Sequence, residues 1–460
     1  MEVLADTRKW AEVNFSTVQL GDRRRTRRLV QSVGKIAEHP EKAFTQVFDW
    51  NELRGFYGVC HQETATLPAL QGPHWEQMRQ AMSQHPVVLI LHDTSELDFT
   101  DHPALRGSGP IGDGRGTGFL QHNSLAVLPK PRQVLGLAYQ QLRTRTVAPK
   151  EESTFQRRKR KRESELWLNG IRALGPAPEN CCWVDVCDRG CDFYEALWAA
   201  VETGHHYLIR AYQDRAAFAS SRLDQPVHLI EYARSLASVG CDQVNIPGRG
   251  GRTARRAEVC MAAAPVWIQA PAGTAKRRSQ PILAVYVIRI WESAPPQGVE
   301  EPLEWILLCS LPTRTLEEIK ERRDWYACRW MVEVFHDIEK NGCIEEDRRF
   351  ETAERMGACL AILSVVAVRV FQLRCALDNI PDKPAPHVAT QMEIQLVRRF
   401  TRHKKRRFTV HDFVHGVAKL GGFLGRKSDR QPGVRALWRG YQRLQDMVQG
   451  AQLLTRMNSS

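Results

Sequence analysis

The chain opens in a helical pattern, turns to short β-branched runs near residue 86, and returns to helical periodicity near residue 350. In the first stretch, Leu20-Gly-Asp22 precedes Arg23, Arg24, Arg25, Arg27 and Arg28, so Asp22 is the expected N-cap of a helix whose first two turns carry five arginines. The run Pro86–Thr94 predicts a strand ending in the acid Asp93. Asn123–Leu128 and Val134–Leu142 predict two more, with the glycine-rich segment 107–118 as a loop between. A helix is expected over 151–174, then a strand Cys182–Cys187 running into Asp188, a helix from about Phe193 to Thr203, and a strand Tyr207–Arg210. Three strands, a helix, a strand and a helix is the ribonuclease-H-like order. Acids at the ends of its first and fourth strands meet at the centre of the sheet.

The most informative stretch runs from Tyr326 to Lys340, with Arg329 and Glu333 between them. At about 100° per residue, offsets of 0, 3, 7 and 14 fall within roughly 60° on one α-helix. One acid, two cations and a phenol would share a stripe, while Met331, Val332, Phe335 and Ile338 face a core. Such an acid can hold a metal while the cations beside it hold phosphate. Mg²⁺ favours a few carboxylates plus water and phosphate oxygens, and two such ions can drive an in-line phosphoryl displacement. Asp93, Asp188 and Glu333 are the expected ligands; Asp98, Asp101, Asp185, Asp192 and Asp337 are the near rivals. Asp185, three residues before Asp188, should face the other side of its strand.

Between about 212 and 312 short strands such as Ala284–Ile290 and Trp305–Ser310 alternate with basic loops, at Arg249, Arg252, Arg255, Arg256 and Lys276–Arg278. They predict a β-rich insertion. Past residue 350, a basic tract Arg402–Arg407 precedes a helix with Trp438, Tyr441, Leu444, Met447, Val448, Ala451 and Leu454 in a stripe. Periodicity does not separate intrachain core from a dimer seam there. The expected division is therefore helical 1–75, a catalytic 76–349 containing the insertion, and helical 350–460.

Charge sharpens the picture. The 460 residues carry 65 Lys plus Arg against 52 acids, a net +13 and a pI near 9.3. That excess, with the block Arg157–Arg162 and the clustered arginines after Asp22, favours a polyanionic partner, nucleic acid above all. The start of the chain carries no secretory pattern. The most apolar stretch, Cys359–Val368, is shorter than the ~20 residues of a membrane span and reads as a buried helix. None of the twelve cysteines forms a C-x2-C pair; Cys181, Cys182, Cys187 and Cys191 read as reduced thiols of a cytoplasmic protein.

These residues carry a resemblance. Trp10, Phe15, Leu20-Gly-Asp22-x-Arg24-Arg25-x-x-Arg28-Leu29-Val30, Asp93-Thr94-Ser95, Val186-Cys187-Asp188-Arg189, the Tyr326–Lys340 motif, Ser364–Arg369 and Leu420-Gly-Gly-Phe423 together resemble the DDE transposases of bacterial insertion sequences, insertion-sequence-four group, the relatives of transposon Tn-five. The resemblance implies a ribonuclease-H-like catalytic core with Asp93, Asp188 and Glu333 as a triad for two Mg²⁺ ions, with Mn²⁺ able to substitute. It implies that Tyr326, Arg329 and Lys340 grip the phosphate beside a flipped base, that Trp305 stacks on that base, and that the N-terminal arginines read the transposon end. The implied partners are double-stranded transposon ends, target DNA and a second copy of the chain, with no membrane, in the bacterial cytoplasm at the nucleoid.

The expected activity is cut-and-paste transposition: strand cleavage, hairpin formation and strand transfer. A non-catalytic or regulatory DNA-binding relative, such as a transposition inhibitor, is one alternative, although binding alone needs no converging carboxylates. A plain ribonuclease-H-like nuclease is another, although it needs neither the Tyr-Arg-Lys group nor Trp305.

Overall fold

The computed structural model describes residues 6–146, 151, 162–246, 254–271, 282–295, 299, 302–404, 406–426 and 431–457. The basic residues Arg157–Lys161, Arg249, Arg252, Lys276–Arg278 and Lys405 lie outside that set. Two compact units emerge: residues 1–84, 94–157 and 332–460 form the first, and 85–93 with 158–331 form the second. The linear boundaries expected near 75 and 349 both fall inside the first unit.

The first unit is largely helical. Helices Thr7–Phe15, Arg23–Glu38, Trp50–Cys60 and Leu67–Met82 begin it. Asp22 caps the second of these as expected, its carboxylate accepting the Arg24 N–H at 2.8 Å. Strand β1 (Val87–Asp98) enters this unit at Thr94 and is followed by β2 (Gly109–Ile111), β3 (Gly116–Leu128) and β4 (Gln133–Arg143). The segment expected as a glycine-rich loop is thus a β2–β3 hairpin. Gly118 reflects close backbone approach, because a Cβ there would lie 1.8 Å from the Leu97 carbonyl oxygen, whereas Gly112 and Gly114, at φ 55° and 91°, supply the left-handed turn. Strand β1 also runs five residues past Asp93, beyond the end the hydrophobic run predicted.

Helix Ala353–Asn379 is the core of this unit, packing on β4 and on helices Leu67–Met82 and Arg23–Glu38. It is long and apolar enough to cross a membrane, yet 83% of its most apolar window is buried within the protein. The buried Arg369 on it donates to the Ala37 carbonyl at 3.2 Å. The C-terminal stripe divides along its length. Leu444 is fully buried, and Tyr441, Met447 and Val448 pack with it on Val397, Val410 and Phe413, whereas Leu454 is exposed, as are Leu453 and Met457 outside the stripe.

A buried polar network crosses this core. Asn123 Nδ2 donates to Glu339 at 2.8 Å, Gln140 Nε2 donates to Asn123 and Ser364, and Ser364 Oγ donates to Glu345 at 3.3 Å. Burial pushes the Glu339 carboxyl up to about 8, against the opposing hydrogen bonds of Ser364 and Asn123, and pushes Glu345 up as well. An acid that keeps its proton to about 8 when folded but loses it near 4.5 when unfolded costs stability as pH rises through that window. Glu339→Gln is therefore expected to narrow the fall in melting temperature between pH 5 and pH 8. An unchanged fall in the variant would remove Glu339 from that linkage.

The second unit is built on a mixed sheet. After helix Glu165–Ala173 come β5 (Cys182–Cys187), helix Tyr194–Glu202 and β6 (His206–Arg210), in the order the sequence predicts. The first part of β1 pairs in parallel with β5, and β5 with β6. The expected insertion is β-rich as read: β7 (Ala216–Phe218), β8 (Pro226–His228), β9 (Gly240–Ile246), β10 (Arg255–Ile268), β11 (Leu283–Glu292) and β12 (Glu304–Cys309). Here β12 joins β6, β11 joins β12 and β10 joins β11, all antiparallel. Tyr194, Leu197, Ile209, Val266, Val285 and Ile306 are buried together on this sheet.

Candidate active site

The parallel register fixes the two aspartates. β1 and β5 pair from Val87↔Cys182 to His92↔Cys187, so one step further sets Asp93 beside Asp188. Pairing ends there because Asp188 leaves the strand to cap a short 3₁₀ turn, its Oδ1 accepting the Gly190 N–H at 2.9 Å. Both carboxylates stand partly exposed where the β1–β5 pairing ends, Asp93 within β1 and Asp188 just past β5, and oxygen donors on neighbouring strands suit a hard cation.

Beneath them lies a group that the sequence reading weighed only as a rival ligand. Asp185 is fully buried, bonded to His92 Nε2 at 2.9 Å and His205 Nδ1 at 3.0 Å, while His205 Nε2 reaches the Gly175 carbonyl at 2.9 Å. Burial raises the Asp185 carboxyl, but the His205 and His92 contacts outweigh it and hold it at about 2. This is a polar strut joining β1 to β5 one residue from Asp93.

Three of the other rivals are also engaged. Asp192 is buried against Arg215 and accepts the Tyr212 and Gln213 N–H groups. Asp98 caps a turn at Thr100, and Asp337 accepts from Asn341 at 2.8 Å.

The expected single helix through Tyr326–Lys340 is broken twice. A capping box of Thr315 and Glu318 starts helix Leu316–Ala327, which carries Tyr326. Tight bonds from Cys328 N–H to Trp325 and from Arg329 N–H to Tyr326 end it. A second helix, Trp330–Asp337, carries Glu333, and Lys340 falls in a π-turn, Ile338–Gly342. The four residues therefore do not share one α-helical stripe. Met331, Val332, Phe335 and Ile338 are nevertheless buried as predicted.

The second unit gathers five of the predicted side chains. Arg329 pairs with Asp93 at 3.6 Å. Tyr326 is buried, its ring edge-on to the half-buried Trp305 with centroids 5.0 Å apart. Burial pushes the phenol up to about 12, against the pull of Arg329 and Arg210 and with Asp188 adding to the rise. It stays protonated and can donate, but it is no base. Arg210, which bonds Tyr326 and also donates to the Glu304 carbonyl at 3.0 Å, was missed by the sequence reading. Its only signal was its position at the end of β6, and strand-end arginines are common.

Glu333 and Lys340 belong to the first unit, Glu333 four residues after Arg329 in the chain. Lys340 pairs with Glu346 at 3.3 Å and donates to the Glu96 carbonyl. Arg23, Arg24, Arg25 and Arg27 stand exposed at the start of their helix, and Arg28 is half-buried. Arg25 also donates to the Leu20 carbonyl at 3.1 Å. No acid occupies that first turn.

Comparison with known families agrees with this layout at both ends. Residues 7–65 match the family model described as Transposase DNA-binding, which takes in all five arginines. Residues 366–459 match the Transposase Tn5 dimerisation domain, which takes in the C-terminal stripe. The two matches thus cover the two ends of the chain, a model described as DNA-binding first and one described as dimerisation last. A solved structure described as a piggyBac transposase synaptic complex with hairpin DNA is distantly similar. It shares 8% identity and a TM-score of 0.37, over 98% of this chain and 78% of that one, too remote to define the fold.

Proposed function

We propose that this protein is a cut-and-paste DNA transposase of the DDE kind, with a ribonuclease-H-like core. The observation that carries the reading is the pairing of β1 with β5, which brings Asp93 beside Asp188 with Arg329 on Asp93. The two transposase matches at the ends support DNA and a second copy of the chain as partners.

In this reading Asp93, Asp188 and Glu333 would hold two Mg²⁺ ions, which would supply activation of the attacking hydroxyl and charge stabilisation for the leaving oxygen. The protein's own groups do the rest. Arg329 and Lys340 hold the phosphate at the element end, turning from their present partners Asp93 and Glu346 as DNA enters. Tyr326 keeps its proton and packs across the half-buried Trp305 indole, which would stack on an extruded base. The exposed arginines after Asp22 grip the flanking duplex. Cleavage, a hairpin and strand transfer would follow in sequence at this one site.

A strand-transfer assay with candidate terminal inverted repeats tests the whole reading. Joined products support it. Binding without any cut would favour a regulatory relative, and cutting without joining a plain nuclease.

Trp305 gives a sharper test. Trp305→Ala is expected to slow hairpin formation far more than the first nick, since only the former needs an extruded base. Base–aromatic stacking is worth on the order of 1–3 kcal/mol, a loss of roughly ten- to a hundredfold at that step. An abasic nucleotide at the flipped position should restore part of it. Equal loss at both steps without abasic rescue would make Trp305 a packing residue only.

A further inference from the structure

We propose that the β9–β10 hairpin carries a second, thiolate-based metal site, made by Cys241, Cys260 and Glu258, that takes a thiophilic divalent cation such as Zn²⁺ when its cysteines are reduced. Cys241 and Cys260 stand directly opposite each other in the antiparallel ladder and form a disulfide in this structure. Glu258 lies two residues before Cys260 on β10, hence on the same face of the sheet. One ligand atom from each of the three lies within 4.8 Å of the other two. Two Zn–S bonds of about 2.3 Å at a tetrahedral angle place the sulfurs about 3.8 Å apart. Side chains at directly opposed positions of an antiparallel pair reach that spacing without backbone movement.

The surroundings suit a ligand set rather than a buried pair of small apolar residues. Cys241 and Glu258 are exposed, so a cation has access, while Cys260 is almost covered. Ser293 Oγ donates to Glu258 Oε1 at 3.1 Å, the kind of outer contact that orients a ligating carboxylate. Soft thiolates select zinc-like ions over Mg²⁺, so the site is chemically distinct from the oxygen-only Asp93–Asp188 pair. Three protein ligands leave one tetrahedral position for water. The hairpin is also anchored: Asp242, next to Cys241, pairs with Arg323 at 2.6 Å, on the helix that carries Tyr326.

Opening the site requires reduction. A phosphine reductant cleaves the S–S bond, the two sulfurs leave as thiols, and the phosphine takes oxygen from water to become its oxide. Each thiol then loses its proton as the metal binds, so affinity rises with pH.

Co²⁺ is the probe, because a thiolate–cobalt bond gives a near-ultraviolet charge-transfer band that carboxylate ligands do not. Phosphine-reduced full-length protein is expected to bind one Co²⁺ with that band, and equimolar Zn²⁺ should bleach it. Cys241→Ser and Cys260→Ser should each abolish the band, and Glu258→Gln should weaken binding about tenfold or more. Asp188→Ala should leave the band unchanged. Absence of the band in reduced, folded protein, as judged by circular dichroism, would overturn the proposal. So would its survival in both cysteine variants, since it would then come from other thiols such as Cys181 and Cys182.

Discussion

Asp93→Ala, Asp188→Ala or Glu333→Ala is expected to lower strand cleavage by about a thousandfold or more while binding to the element end changes only a few-fold. The asymmetry has a physical origin. Each substitution removes a ligand from the ions that would activate the nucleophile, and losing one fixed transition-state contact already costs on the order of 10²–10³. Affinity, in contrast, rests on many phosphate contacts made by basic side chains that these changes leave in place. Gel-shift affinity and nicking of a labelled end with Mg²⁺ measure the two terms separately. A triple-alanine protein that still nicks would reject the triad. Asp93→Ala carries one additional expectation: it frees Arg329 from its ion pair, so end binding in that variant should tighten or hold rather than weaken.

The second large effect is on stability. Asp185→Ala is expected to cost about 3–5 kcal/mol, because removing one partner from a buried charged network leaves the others without compensation. Here two imidazoles, His92 and His205, would face the space left by the carboxylate they share. For a unit of this size the change corresponds to a fall of about 10 °C in melting temperature. Since folding holds the Asp185 carboxyl at about 2, below its unfolded value of 3.8, its contribution is present above pH 3.8 and is lost as pH falls towards 2. Asp185→Asn keeps the shape and one acceptor oxygen, so it should fall between wild type and alanine. A melting temperature within 2 °C of wild type for Asp185→Ala would show that the strut carries no load. If stability falls but cleavage by the surviving folded fraction does not, Asp185 acts on the fold and not on the spacing of Asp93 and Asp188.

Much of the architecture was legible in the chain because its signals are local. Asp22 caps its helix because a short carboxylate before a run of good helix formers satisfies an orphan N–H whatever lies elsewhere. The apolar runs at 86–94 and 182–187 form paired strands, because a strand buried on both faces reads as a continuous β-branched stretch. The burial of Met331, Val332, Phe335 and Ile338 followed from spacing alone.

Other features depended on partners distant in sequence, and only the folded chain decided them. The residues from Tyr326 to Lys340 keep helical spacing, but nothing local marks the tightening at Cys328 or the π-turn at Ile338, so their common stripe dissolved. Asp185 read as a possible ligand until two histidines, 93 residues before and 20 after, claimed both its oxygens. Gly118 looked like loop composition until the Leu97 carbonyl came within reach of its absent Cβ. The C-terminal stripe could be core or seam by periodicity. Packing assigned Tyr441, Leu444, Met447 and Val448 to the chain's own core and left Leu453, Leu454 and Met457 exposed at the end of the matched dimerisation segment. Capping and periodicity are nearest-neighbour properties that a sequence determines by itself. Whether a polar group meets a proton, a cation or a histidine is settled by which distant strand arrives beside it.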